Sequence, residues 1–235
     1  MPSEKTEHIL MKQPDFSQPV LAIDTSTTFL SLALSASGQI LQYHQNVGTK
    51  QSDFILPQIQ NLLAEAGIRV KDLGCIVYSQ GPGAFTGLRI GIGVAQGLAA
   101  PADLPLIGIP SLDAVAYQQQ GRCILAATDA RMGEVFYAWL DTVNHTRLSP
   151  YQVGSAASIQ APHTTDTMQG VGNAFALSDK PPFDGIPDMP TAADYLNLAR
   201  TGRYPATSAG EAELLYVRDK IALTAKEQAE RKSGS

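Results

Sequence analysis

Two hydrophobic periods run along this chain, and the switch between them separates its elements. Residues 19–24 (PVLAID) form a short apolar run that ends in an acid. In FLSLALS, Leu30, Leu32 and Leu34 alternate with small residues at the period of two that a half-buried strand requires. The turn SASGQ and the run ILQYHQN complete what reads as a three-stranded antiparallel meander. Over residues 52–66 the period lengthens. Ile55, Ile59, Leu62, Leu63 and Ala66 fall on one helical face, and Gly67 is the natural stop. Pro57 is tolerated only near a first turn, which leaves the start of this helix open.

CIVYS predicts a strand, QGPGAFTG a glycine-rich turn, and Leu88 to Ala99 a helix capped by Thr86. PLIGIP is a further short strand, and Ser111 is placed to cap LDAVAYQQQ. A meander followed by alternating helix and strand is the pattern of an α/β fold with a mixed sheet. CILAATDARMGEVFYAWLD then repeats the strand–acid–turn–strand order of VLAIDTSTTFLSLAL, with Asp24 and Asp129 in matching places. This predicts a duplicated α/β unit. Residues 141–190 are rich in Ser, Thr, Pro and Gly and read as loops and short strands. TAADYLNLAR predicts a short helix, and the closing ELLYVRDKIALTAKEQAERK an extended segment and then a charged helix.

Composition narrows the function. Of 235 residues, 17 are Lys or Arg and 22 Asp or Glu, so 17 − 22 = −5. An acidic chain offers no basic field for free-standing nucleic-acid binding. Charged residues make up 17%, below the roughly 25% usual for soluble domains, which points to a covered interface. Cys75 and Cys123 are too few for a disulfide framework, and a reduced, cytoplasmic setting is expected. No apolar run reaches the roughly 20 residues of a membrane span. Residues 1–18 lack the apolar core of a signal peptide and read as a mobile extension.

Three places could carry chemistry. Asp24 with Thr25 and Ser26, at a strand end, suits either a turn initiator or a magnesium-bound phosphate. GPGAFTGLR contains Gly81, Pro82, Gly83, Phe85 and Thr86 and turns from strand into helix, a geometry that can receive an anion. Yet Leu88 and Arg89 stand where a phosphate-binding loop needs Lys and Ser/Thr, and Thr86 stands where a dinucleotide fingerprint needs its last Gly. The glycines then serve a tight turn and close helix–sheet packing. The third place is the helix that follows. Arg89 is the sole charge in residues 73–100, and Gly87, Gly91, Ala95 and Leu98 form a stripe of mainly small residues. Gly costs about 1 kcal/mol per helical position relative to Ala, so Gly at 87, 91, 93 and 97 predicts close approach by another helix. His8, His44, His145 and His163 show no metal-ligand spacing, and no nucleophile elbow is present.

LAIDTSTTFLSLAL, GPGAFTGLRIGIGVAQGLA, DARMGEVFYAWL and LYVRDKIALT together resemble the bacterial TsaB (YeaZ) family of tRNA threonylcarbamoyladenosine biosynthesis proteins, over about residues 19–226. The resemblance implies an α/β, actin-like (ASKHA) fold of two ribonuclease-H-like units with mixed sheets, the second abbreviated. It implies an N-terminal unit over 19–106, a degenerate second unit over 107–218 and a charged helix or tail over 219–235. It also implies a non-catalytic subunit that binds and activates a TsaD-like catalytic subunit, alongside a TsaE-like ATPase, and meets tRNA only within that complex. ATP and metal are then expected only on the partner subunits. The implied pairing surface is the two helices of the N-terminal unit, with Ile55, Ile59, Leu62, Leu63, Gly87, Arg89, Gly91, Ala95 and Leu98, and a homodimer forms through the same face. The segment before the first helix usually reads His-Ser in this family and here reads Gln51-Ser52. The alternative is an ASKHA kinase or nucleotide hydrolase that uses Asp24 and Asp129. Such folds usually have Gly where Ser26 stands, which argues against it.

Overall fold

The computed structural model describes residues 12–217. The expected charged helix over 219–235 and the first part of the N-terminal extension lie outside the described residues. The remainder of that extension is not free. Asp15 donates its N–H to the Gly74 carbonyl, and Phe16 packs against the core face that contains Val20 and Ala22.

The meander forms as its periodicity predicts. β1 (Val20–Asp24) pairs antiparallel with β2 (Phe29–Ala36), which pairs antiparallel with β3 (Gln39–Asn46). β1 is buried on both faces because all but its last residue are apolar, whereas β3 is a largely exposed edge rich in Gln. α1 (Gln51–Glu65) follows. Gly67 ends it at φ 68°, donating to the Ala64 carbonyl while Ile68 donates to that of Leu63. Those two bonds complete a Schellman stop. Pro57 lies inside this helix, not in its first turn. It sits on the exposed side, where water can take the Asp53 carbonyl that loses its intrahelical donor.

β4 (Cys75–Gly81) runs parallel to β1, and α2 (Phe85–Ala99) returns from it to β5 (Leu106–Pro110), parallel to β4. α2 begins three residues earlier than Leu88. Thr86 is inside it, and the capping position belongs to Ala84, with no side-chain cap. α3 (Ser111–Ala116) likewise starts after Pro110, so Ser111 is its first helical residue and does not cap it.

The second unit repeats the first. β6 (Cys123–Arg131) and β7 (Glu134–Asp141) form an antiparallel hairpin, joined by β8 (Thr146–Arg147), β9 (Gln152–Ser155), β10 (Met168–Val171) and β11 (Gly185–Ile186). β10 runs parallel to β6, as β4 does to β1. The chain then returns to the first sheet. α4 (Ala192–Ala199) donates the Ala192 N–H to Ser31 Oγ at 2.8 Å, and β12 (Ala206–Thr207) pairs with β5. The first sheet is ordered β12-β5-β4-β1-β2-β3, so β5 and β12 complete a sheet that begins at residue 20, and α4 packs on its face.

Each face of that sheet has its own core. Leu21, Ile23, Ile76 and Tyr78 meet α1 and α2 on one side; Val20, Ala22, Val77 and Ile107 meet α3 and α4 on the other. α3 also covers the second sheet, where Leu112, Val115 and Ala116 pack on Ile124, Ala126 and Ala138. Asp113 ties the layers together. Its carboxylate accepts the Tyr151 hydroxyl at 2.5 Å and the Tyr204 hydroxyl at 3.1 Å. The result is the duplicated α/β unit with mixed sheets that the repeated hairpin predicts, and the actin-like architecture that the resemblance implies.

Candidate interaction surface and cleft

The matching acids are both turn initiators. Asp24 ends β1, is 5% exposed, and accepts the Ser26 N–H at 2.9 Å. Burial raises its pKa above the ordinary value, opposed by hydrogen bonding from Ser26 and Ser79. Asp129 accepts the Arg131 N–H at 2.8 Å and pairs with its guanidinium at 3.2 Å. Thr25 is fully buried, its N–H donating to Ser79 Oγ at 3.3 Å.

The glycine-rich turn is packed onto this same loop. The Ser26 carbonyl accepts the Ala84 N–H at 2.7 Å, and a Cβ on Gly83 would stand 2.5 Å from that carbonyl oxygen. Gly83 is therefore required for close contact between two loops. That contact spends an N–H that an anion would need. Gly81, at φ 99°, adopts a conformation that L side chains rarely take.

Between the two sheets lies a cleft of about 460 Å³. Ser26, Pro82, Phe85 and Leu88 contribute from one unit, Thr128, Asp129, Met132 and Phe136 from the other. Asp129 and Arg131 are the only charged residues among the described lining, and they pair with each other. A polyphosphate needs cations or free amides at its binding site. The described lining does not fit one.

The helices divide into an inner and an outer face. Ile55, Ile59, Leu62 and Leu63 of α1 are core residues at 1–7% exposure. Gly87, Gly91 and Ala95 of α2 also point inward. A Cβ on Gly87 would lie 2.2 Å from the Thr25 carbonyl oxygen, and one on Gly91 the same distance from Thr25 Oγ1. The stripe expected to meet a partner thus meets the Thr25 loop and Gln51 of this chain. The outward stripe of α2, four residues apart in each step, is Phe85, Arg89, Gly93 and Gly97. Gly93 and Gly97 have nothing within 4 Å of a Cβ position. Arg89 lies 3.8 Å over the Phe85 ring, Leu98 is half-buried, and Phe54 and Leu56 of α1 are 37% and 47% exposed. On α2 this outer face has Arg89 as its one charge, no acidic group and no side chain at Gly93 or Gly97.

Glutamines provide contacts that periodicity does not reveal. Gln51, 4% exposed, donates through Nε2 to the carbonyls of Thr27 and Phe29 and so fixes α1 to the first hairpin. Gln96 donates to the carbonyls of Ala209 and Ala212, anchoring the C-terminal segment. The Glu213 carbonyl accepts from Tyr78 and Gln80, and Leu215 donates to the Gln80 carbonyl. Residues 214–217 thereby form one lip of the cleft. Among the described residues no three His, Cys, Asp or Glu side chains could hold a metal ion, and no helix is long and apolar enough to cross a membrane.

The family model described as TsaD, tRNA N6-adenosine threonylcarbamoyltransferase, matches residues 45–164. The tRNA threonylcarbamoyladenosine biosynthesis protein TsaB of Escherichia coli K12 is 43% identical over 123 residues, 51% of this chain and 53% of that protein. The Bacillus subtilis protein of the same name is 34% identical over 122 residues, 50% of this chain and 52% of that one. The chain thus spans about half the length of the curated relatives it matches. Among solved structures, YeaZ from Pseudomonas aeruginosa superposes with a TM-score of 0.75 at 30% identity, covering 85% of this chain and 99% of that one. With a structural relative matched along nearly its whole length and the family model spanning α1 to β9, the chain belongs to the TsaB/YeaZ family.

Proposed function

We propose that this chain is a non-catalytic subunit in the synthesis of threonylcarbamoyladenosine on tRNA, acting in the cytoplasm by binding and activating a TsaD-like catalytic subunit. The observation that carries this reading is the outer face of α1 and α2. Phe85, Arg89, Gly93 and Gly97 form a ridge without side chains at its glycines, and Phe54 and Leu56 are exposed on α1. Gly at 93 and 97 costs helix stability and gains no contact among the described residues in return. Close approach of a partner helix accounts for both. The same face serves a homodimer, which competes with the catalytic partner. The name shared by the E. coli and B. subtilis relatives supports the pathway.

Two features support assigning the chemistry to the partner. Asp24 is buried and engaged with Ser26, and Asp129 is paired with Arg131. ATP and metal then belong to the TsaD-like and TsaE-like subunits, and tRNA is met only in the assembled complex.

Reconstitution tests this. The chain, the catalytic subunit, the ATPase, threonylcarbamoyl-adenylate and tRNA are combined, and modified adenosine is measured by mass spectrometry. Product is expected with all components and not with this chain alone. Product from this chain alone, or full product without it, would overturn the reading.

A further inference from the structure

The cleft between the two sheets holds two buried hydroxyls that have no hydrogen-bond partner among the described residues. Ser111, the first residue of α3, and Tyr195, in α4, both line it. They are 3% and 0% exposed, and among the described residues neither hydroxyl has a hydrogen-bond partner. The Ser111 and Ser26 hydroxyls face that of Tyr195, but neither closes a bond with it. A buried hydroxyl without a partner is a net cost to the fold. Two in one wall of a cleft of about 460 Å³ are what a site built to receive a ligand's polar end contains.

The rest of the lining defines the ligand. Leu88, Val115, Phe136, Met189 and Leu215 supply apolar walls. The lining charges cancel in the Asp129–Arg131 pair, and Asp24 lies buried behind Ser26. A charged group entering here would lose water and find no unpaired counter-ion among the described residues. A hydroxyl or amide could both donate to and accept from Ser111 and Tyr195. We propose that this cleft binds a small neutral molecule with a hydroxyl- or amide-bearing head, held by Ser111 and Tyr195, and an apolar body against Val115 and Phe136. This site meets the outer face of α2 only at Phe85, and its test does not involve the partner subunit.

Adenosine and AMP are the probes. Adenosine has a neutral polyol end and a planar body, and AMP differs from it only by a phosphate. Each is titrated into the full chain by calorimetry, with the methyl resonances of Leu88, Val115 and Met189 locating the bound molecule. Adenosine is expected to bind and shift those methyls, with AMP at least tenfold weaker. Ser111→Ala with Tyr195→Phe should weaken adenosine at least tenfold and leave the melting temperature of the free protein unchanged or raised. A purely structural pair of hydroxyls would lower it. Ser111→Ala alone removes one atom and carries the same test if the double variant fails to fold. The proposal is overturned if adenosine fails to bind at millimolar concentration, if AMP binds as well or better, if the shifts fall elsewhere, or if the variants bind unchanged.

Discussion

Replacing Gly93 and Gly97 by Ala should make the isolated chain more stable and a worse partner. Both positions are exposed on α2, and a Cβ at either meets nothing within 4 Å. Neither has a positive φ, so Ala fits the backbone without strain. Each exchange recovers about 0.8–1 kcal/mol of helix propensity, or about 1.6–2 kcal/mol for the pair. A chain of this size gains about 2–4 °C per kcal/mol, so the melting temperature should rise by about 3–8 °C. In a complex the same methyls stand where the neighbouring helix crosses. Overfilling a packed seam costs about 1–3 kcal/mol per site. At 1.4 kcal/mol per decade, affinity should fall at least about tenfold. Calorimetric melting of the free chain and sedimentation equilibrium of its self-association measure the two effects separately. A double variant that is less stable, or one that is more stable and associates as tightly as the parent, would refute the reasoning.

On the inner face of α2 the sign reverses: Gly87→Ala puts a Cβ 2.2 Å from the Thr25 carbonyl oxygen. The overlap outweighs the propensity gain, and urea denaturation should show a loss of about 1–2 kcal/mol. Asp113→Ala strands the hydroxyls of Tyr151 and Tyr204 and should cost about 2–4 kcal/mol, read by the same method. Asp24 has a pKa raised above the ordinary 3.8, mainly by burial. A raised folded-state pKa gives stability that is complete at low pH and is lost as pH rises through the folded value. Asp24→Asn should therefore be more stable than the parent at neutral pH, the difference closing as pH falls toward 4, in melts run across that range.

Much of the fold was legible because strong periods left little choice. The leucine alternation of β2, the i, i+4 pattern of α1 and the repeated strand–acid–turn–strand hairpin all appear where the sequence puts them. The faces of α2 were not legible. Glycines stand on both, at 87 and 91 inside and at 93 and 97 outside, and a small-residue pattern does not say which side meets its own chain. The answer depends on where the Thr25 loop folds back, a contact across about sixty residues. The caps failed for a related reason. Thr86 and Ser111 are good capping residues, but the turn before α2 is fixed by Gly83 against Ser26, and α3 begins directly on β5. The cleft was hidden too, because Ser111 and Tyr195 are far apart in sequence and neither belongs to a motif.

The central claim is that the outer face of α1 and α2 is where the catalytic partner binds. Gly93→Arg tests it most directly, because position 93 is open among the described residues and an arginine there should leave the melting curve of the free chain unchanged or slightly raised. The TsaD-like subunit is titrated calorimetrically into the parent and into this variant, with circular dichroism to verify the fold. The account predicts saturable binding by the parent and affinity at least about a hundredfold weaker for Gly93→Arg, since overfilling a close helix crossing and burying a second cation one turn from Arg89 together cost several kcal/mol. A folded Gly93→Arg chain that binds the catalytic subunit as tightly as the parent would contradict it.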